Sequence, residues 1–442
     1  MFKIKLGDNL RDVSLKNVVF ILGDFLQNSS ANAICVKKIV DQLVLEGYKI
    51  SIVCKDQIIG KSTTLESNGI KVHYLSILRN RFWNAATKKK ETTESITMSF
   101  FCVIILFILR VIYRVYSVFM WPSAEKWFIN RTLKKLKEIG VDEKIDCIIT
   151  VSMPYESHLA GYKYKRKKKE VKWITYTLDS FVHSPTLQKH FIFKHLKEKI
   201  NRTSEQRVFE RSDANFLSSS LKDSVIMSDK ENPSKYSWIS FPLLSEYNAL
   251  TSVVHFETTK INIVYAGSFY KEIRNPDYCL KIFSMLNDDR ILLHLFHRGD
   301  CSDLVHRYSL ASKNIISYKS LPVEQVYEVE NQADIFLNIG NNVGLFFPSK
   351  LVEYISFGKP IINFHDARFR YGELLDRYPY VLNIENNGGN SEEIAVQLSN
   401  FCIANKNNRV MFSELAKKFE DSTPNFITSL FIKEIENGSP QL

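Results

Sequence analysis

The chain is 442 residues long, more than one ordinary hydrophobic core organises, and its 45% hydrophobic and 24% charged content is that of a globular protein, so two domains of roughly 200 residues are expected. Lys and Arg total 59 against 48 Asp and Glu, a net +11 that favours anionic partners: nucleic acid, anionic lipid or a phosphorylated substrate. Seven scattered cysteines with no C-x-x-C pair argue against a disulfide frame or a zinc site and for a reducing compartment, and with no apolar run before the first strand no cleaved signal is expected.

Residues Asn17 to Leu22 read as a short buried strand, followed by a small polar loop that holds Gly23, Asn28 and Ser29. A helix from Ala31 to Glu46, stopped by Gly47, and a second strand from Tyr48 to Cys54 complete a βαβ unit, the opening of a doubly wound sheet. Met98 to Leu109 is an apolar run of twelve, short of the ~20 residues a spanning helix needs, and Arg110 and Arg114 interrupt its continuation to Trp121. Ser99, Arg110, Arg114 and Ser117 share one stripe of a helical wheel. The pattern predicts a helix near residues 96–121 lying in a membrane interface, basic groups toward the headgroups, with a buried domain helix or a spanning helix as alternatives.

The strand Asp146 to Val151 runs into Ser152-Met153-Pro154-Tyr155-Glu156-Ser157-His158, and a strand from Trp173 delivers Asp179 at its carboxyl end, where α/β folds place ligands. Asp179 is the expected base, or hydrogen-bond acceptor, for a substrate hydroxyl. His158 and His183 compete with it as bases near neutral pH, although lone histidines are more often structural. Glu205, in a helix from Glu198 to Arg211, reads as structural. Lys163, Lys165, Arg166, Lys167, Lys168 and Lys169 form a basic patch, either a solvated loop or a contact to an anionic leaflet. With no recognition helix and no RNP pattern, no nucleic-acid partner is expected.

A second α/β series begins after a switch near Phe241 to Lys260. A strand Ile261 to Ala266 is followed by a Gly267-Ser268 turn, a loop carrying Lys271 and Arg274, and a helix from Pro276. Strands Arg290 to His297, Asn314 to Tyr318 and Asp334 to Ile339 should end on the same sheet edge. Glycine lets a backbone approach a phosphate, and an arginine offers it a planar fork. Beyond them Pro348 opens a helix that Gly358 and Pro360 end about three turns later. Leu351, Tyr354 and Ile355 make its inward face; Lys350 and Glu353 share another. A lysine in a first helical turn opposes the macrodipole unless an anion shares the site, so a phosphate or carboxylate ligand is expected there.

The string Pro348-Ser349-Lys350-Leu351-Val352-Glu353-Tyr354, with Gly358-Lys359-Pro360-Ile361-Ile362, resembles the nucleotide-sugar signature of the family-four glycosyltransferases of GT-B fold. Gly267-Ser268 with Arg274-Asn275-Pro276 is similar to that family's Gly-Ser/Thr, loop, Arg-Asn/Asp-Pro element. The order Trp121-Pro122, Trp127, Ser152 to His158 and Asp179 resembles a subgroup that builds bacterial surface polysaccharides. The resemblance implies an α/β architecture of two Rossmann-like doubly wound domains facing across a cleft. Residues 1–245 would form the acceptor side, 246–420 the nucleotide-sugar domain, and 421–442 a segment crossing back. It gives the donor ribose to Glu353 and the diphosphate to Ser349, Lys350 and helix-start amides, with Arg274, Lys271, Gly267 and Ser268 stabilising the leaving charge. Gly23, Asn28 and Ser29 become cleft candidates, with His158 and His183, beside the acceptor. The more familiar motif has a second glutamate where this chain has Leu345, so no glutamate contact to the sugar ring carries over.

The activity so implied is a retaining transfer of a sugar from a nucleoside-diphosphate donor to a lipid-linked glycan during envelope polysaccharide assembly, on the cytoplasmic, inner face of the cell membrane. No cofactor is expected, and with no Asp-x-Asp string no metal either; cationic groups must offset the diphosphate charge. A nucleotide-sugar epimerase of the same fold and a non-catalytic scaffold subunit are the alternatives.

Overall fold

Runs such as Val18-Val19-Phe20-Ile21, wholly shielded from solvent, belong to strands covered on both faces. In a computed structural model of the chain, residues 16–26, 30–56, 62–76, 86–87, 89, 96–123, 125–184, 193–222, 233–247, 254–342, 348–368, 372–386 and 388–437 are described. They fall into two units, Met1–Trp238 with Thr428–Leu442, and Ile239–Ile427.

The first unit contains β1 (Asn17–Ile21), α1 (Ala31–Leu45), β2 (Lys49–Lys55), β3 (Thr63–Ser67), β4 (Ile70–Leu75), α2 (Ile96–Phe119), α3 (Lys126–Asp142), β5 (Cys147–Ser152), α4 (Tyr155–Lys165), β6 (Lys172–Thr177), α5 (Lys194–Arg211), β7 (Ala214–Ser218) and β8 (Tyr236–Ile239). Its sheet has the order β3-β4-β2-β1-β5-β6-β7-β8. Pairings from β4 to β7 are parallel, and β3 adds an antiparallel edge. The β3–β4 hairpin was not anticipated, although its signal is present: Asn68 and Gly69 both take positive φ, 50° and 77°, as a two-residue hairpin turn requires.

Helix α2 corrects the reading of an apolar run too short to span. It is continuous for 24 residues, and Thr97–Ser117 is long and apolar enough to cross a membrane, about 31 Å of rise. Nor is it a buried domain helix, because only 6% of that stretch is buried. The shielded positions Ser99, Cys102, Leu106, Leu109, Tyr113 and Ser117 recur on one stripe, while Phe100, Ile104, Phe107, Val111, Val115 and Phe119 stand exposed on the opposite side. Arg110 and Arg114 are also exposed and lie on the flank, so they interrupt the composition without breaking the helix. Of the basic patch, Lys165 is structural, its ammonium 2.7 Å from Asp213 and bonded to the Val171 carbonyl.

The second unit contains β9 (Ile261–Phe269), α6 (Asp277–Ser284), β10 (Ile291–Gly299), α7 (Ser302–Ala311), β11 (Ile315–Lys319), α8 (Val323–Gln332), β12 (Ile335–Ile339), α9 (Lys350–Ser356), β13 (Ile361–His365), α10 (Gly372–Leu375), β14 (Val381–Glu385), α11 (Ser391–Asn405) and α12 (Phe412–Lys418). Its sheet is wholly parallel in the order β11-β10-β9-β12-β13-β14, a doubly wound 3-2-1-4-5-6 arrangement. Strand order reverses between β9 and β12, which places any ligand crevice beyond their carboxyl ends. Ile263, Leu293 and Leu337 from the strands meet Leu280, Phe283 and Leu398 from the helices in one core.

The last helix, α13 (Pro424–Glu436), starts in the second unit and ends in the first. Phe431 stacks on Phe216 at 4.2 Å and meets Tyr176 edge-on at 5.4 Å. Lys172 reaches Glu434 at 2.6 Å, and Lys16 reaches Glu436 at 2.8 Å. Because Phe431 is wholly buried, Phe431→Ala should destabilise the first unit by about 3–5 kcal/mol, read as a lowered midpoint in urea unfolding with an unchanged slope.

Candidate functional site

The carboxyl edge of β9 is not a turn at Gly267-Ser268, as the sequence suggests. The strand continues, pairing Gly267 with His297, Ser268 with Arg298 and Phe269 with Gly299. Tyr265 and Phe269 lie on the same face and stack at 4.4 Å across the glycine between them. A Cβ on Gly267 would lie 2.9 Å from the Tyr265 hydroxyl, so the glycine makes room for that ring. Ser268 Oγ accepts from Arg298 Nε at 3.0 Å.

Beyond β9 the chain closes a tight loop in which Tyr270 and Arg274 exchange backbone hydrogen bonds of 3.1 and 2.7 Å. Lys271 is exposed on it, with its amide donating to Asp300. Arg274 Nε donates to Asn341 Oδ1 at 3.0 Å, and Asn342 N donates to the Ile273 carbonyl at 2.8 Å. The loop after the first strand is thereby tied to the end of the fourth, across the strand-order reversal. The Tyr265 hydroxyl lies against the same guanidinium.

Helix α9 has seven residues, two turns rather than three. Its Leu351 and Val352 amides bond back to Pro348 and Ser349, so those two are not spare donors. Ser349 makes no side-chain cap. Lys350 Nζ lies 2.8 Å from Glu330 Oε1 and 3.0 Å from Glu353 Oε2, and 5.8 Å from the ring centres of Tyr327 and Tyr354. Burial would lower the lysine, but the two carboxylates overcome it and hold the ammonium charged, above its ordinary value. The anion that the helix-start lysine asks for is thus supplied from within the fold. Glu330 is fully buried on α8, and burial pushes its carboxyl up against the pull of Lys350. Sequence reasoning missed Glu330; its signal is a carboxylate on the apolar stripe Val323, Val326, Tyr327 of its own helix.

Glu353 Oε1 is buried and has no hydrogen-bond partner among the described residues. The α9 helix is fixed to the sheet through Tyr354, whose ring stacks on Phe336 at 4.4 Å and whose hydroxyl accepts from Ala266 N at 3.2 Å. Leu345 lies outside the described residues, as do Asn28 and Ser29 in the first unit.

In the first unit Gly23 sits where strand order reverses between β1 and β5. A Cβ there would be 2.7 Å from Pro154 Cδ, so close packing against residues 153–154 accounts for this glycine. His158 is a core residue: Nδ1 lies 2.8 Å from Thr150 Oγ1, Nε2 3.1 Å from Thr177 Oγ1, and burial lowers it to about 3. With both nitrogens engaged and no route to solvent, it is not available as a base. His183 has Nδ1 3.0 Å from Ser180 Oγ, and burial lowers it.

Asp179 follows β6 and differs from its neighbours. Its carboxylate has no hydrogen-bond partner among the described residues, and burial alone pushes it up to about 6. The loop that carries it is held by Glu205, whose carboxylate accepts from the Phe181 and Val182 amides and is itself pushed up to about 7 by burial. Tyr155 stacks on Phe181 at 3.9 Å and bonds Ser204 at 2.7 Å.

Two outcomes are expected. Lys350→Met leaves two buried carboxylates facing each other and should destabilise the second unit by about 3–5 kcal/mol, with much of the loss recovered in Lys350→Met/Glu330→Leu, measured by chemical unfolding. For Asp179 the folded value of about 6 lies above the ordinary 3.8, so its contribution to stability is full below pH ~4 and is lost as pH rises through ~6. Asp179→Asn should therefore gain on the wild type by up to about 3 kcal/mol between pH ~4 and ~7. A difference that did not vary with pH would count against an isolated carboxyl.

No family model matches the chain, and neither does any curated protein. Solved structures do. The catalytic domain of starch synthase IV from Arabidopsis thaliana, bound to ADP and acarbose, aligns with TM-score 0.59 at 9% identity over 97% of this chain and 100% of its own. A trehalose-6-phosphate protein from E. coli bound with UDP-2-fluoro glucose aligns with 0.57 at 8% identity, covering 96% and 99%. A glycosyltransferase from Rickettsia africae aligns with 0.57 at 11% identity, covering 97% and 100%. At such identities the likeness is one of fold, and the chain has the GT-B fold, two Rossmann-like parallel-sheet domains.

Proposed function

We propose that the chain is a glycosyltransferase that moves a sugar from a nucleoside-diphosphate donor to a lipid-linked glycan in bacterial envelope polysaccharide assembly. It retains anomeric configuration, uses no bound metal and works on the inner face of the cell membrane. The observation that carries the donor half is the β9–β12 edge of the second unit, where Arg274 is tied to Asn341 and where Glu353 Oε1, held by α9, has no hydrogen-bond partner among the described residues. Structures of the same fold hold ADP and UDP-2-fluoro glucose, which supports a nucleotide at this edge. Glu353 Oε1 accepts from a ribose hydroxyl, and Lys350 positions that carboxylate. Ser349 and Arg274 face the diphosphate, with Lys271 a further cation on the same loop.

In the first unit Asp179 orients the acceptor hydroxyl. The acceptor oxygen bonds to the anomeric carbon as the carbon–oxygen bond to the diphosphate breaks, and the hydroxyl proton passes to the leaving phosphate. Stabilising that developing charge falls chiefly to Arg274, because the Lys350 ammonium is already balanced within the protein. The exposed apolar face of α2 supports a membrane-bound acceptor.

The test is a thermal-shift panel of UDP, GDP, ADP, CMP and their sugar conjugates against wild type, Arg274→Ala and Glu353→Gln, followed by turnover with the selected donor. A base-selective shift weakened in Glu353→Gln is expected. Arg274→Ala should lower turnover by about 10² to 10³, some 3–4 kcal/mol. If no nucleotide shifts the midpoint, or both variants behave as wild type, the donor site is misassigned.

A further inference from the structure

Helices α4 and α5 touch through Tyr155 and Ser204. Beside that contact, near the end of α2, lies an open groove of about 460 Å³. Leu159 and Tyr162 of α4, Leu196, Ile200 and Val208 of α5, and Pro122 give it apolar walls. Its polar lining is of one sign. Lys199 and Arg207 line it with Thr203 and Ser204, and among the described residues no carboxylate does.

Two acids on the same helix are committed elsewhere. Glu198 pairs with Arg202 at 3.3 Å, and Glu205 accepts the Phe181 amide. Lys199 and Arg207 themselves have no ion-pair or hydrogen-bond partner among the described residues. They stand eight residues apart on one helix, about 12 Å along its axis, and so bracket the groove. Their neighbours are continuous with the apolar helix. Trp121, directly before Pro122, meets Phe193 edge-on at 6.1 Å and lies under the Lys197 ammonium at 5.7 Å, which fixes the end of α2 beside the groove mouth.

An apolar trough bracketed by two unneutralised cations, next to a helix whose outward face is apolar, is complementary to one kind of molecule: an amphiphile with an anionic head. We propose that this groove binds a single anionic phospholipid of the bilayer, with an acyl chain against Leu159, Ile200 and Val208 and the headgroup phosphate between Lys199 and Arg207. Arginine suits the phosphate by its planar fork, and each cation adds attraction to an anionic leaflet. The site is separate from Asp179 and from the β9–β12 edge. It rests on the membrane-facing reading of α2, and it gives that surface a preference for lipid charge.

The test uses the full chain and short-chain lipids that stay monomeric, so that a site is separated from general attraction to a charged surface. Dihexanoylphosphatidylglycerol should stabilise the protein saturably by calorimetry or thermal shift, while dihexanoylphosphatidylcholine and inorganic phosphate should not. Lys199→Ala/Arg207→Ala should weaken that binding by roughly thirtyfold. Leu159→Trp, which fills the trough and leaves both cations, should weaken it as well, with unchanged far-ultraviolet circular dichroism as the folding control. Equal stabilisation by inorganic phosphate, or binding that survives both variants, overturns the proposal. Flotation with phosphatidylglycerol vesicles separates the two readings: vesicle binding without short-chain binding removes the groove and keeps the membrane surface, while short-chain binding without flotation keeps the groove and removes the membrane surface. Nucleotide binding is read independently of both.

Discussion

The first strand of each sheet is central, and the rest of the molecule depends on that constraint. Right-handed crossovers carry the chain outward from β1 to β4 and from β9 to β11, and the next strand must then pair on the far side of the first. The loops after β1 and β5, and after β9 and β12, meet where strand order reverses, the place where such sheets put a ligand crevice. In the first unit that point holds Gly23 against Pro154; in the second it holds Arg274 against Asn341. The glycines are less about ligands than about packing. Gly23 admits a proline and Gly267 admits a tyrosine ring.

Buried charge sets the chemistry of the second unit. A lysine at the start of α9 is unfavourable toward the helix dipole and costly to bury, and two glutamates are costly to bury without it. Together they are tolerated, because one ammonium serves two carboxyls, and burial raises the deeper one, Glu330, against the pull of that ammonium. The arrangement fixes Glu353, whose Oε1 has no hydrogen-bond partner among the described residues. Arg274, by contrast, is held at this edge by a neutral partner, Asn341.

The first unit has two surfaces that ordinary burial does not explain. Helix α2 leaves a continuous row of phenylalanine, isoleucine and valine exposed along more than 20 Å. The groove beside its end combines apolar walls with unopposed cations. Asp179 stands apart from both, a carboxyl raised by burial on a loop that Glu205 holds in place.

The sequence by itself determined the alternation of strands and helices, and with it the two doubly wound sheets, because apolar strand runs and the Gly and Pro stops around them are local signals. It also marked Lys350 and Glu353 by their spacing on one helix, and Arg274 by its place after Gly267-Ser268 in a separate loop. Only the tertiary structure decided what these groups contact. Glu330 joins Lys350 from a helix about 20 residues earlier, a pairing that no local pattern encodes beyond a carboxylate on an apolar stripe. Strand β9 runs past Gly267 because β10 offers it partners, which composition cannot reveal. His158 and Asp179 look alike as polar residues near strand ends. The fold gives one two hydroxyl partners inside the core and the other none among the described residues, a difference in surroundings that residue type does not encode.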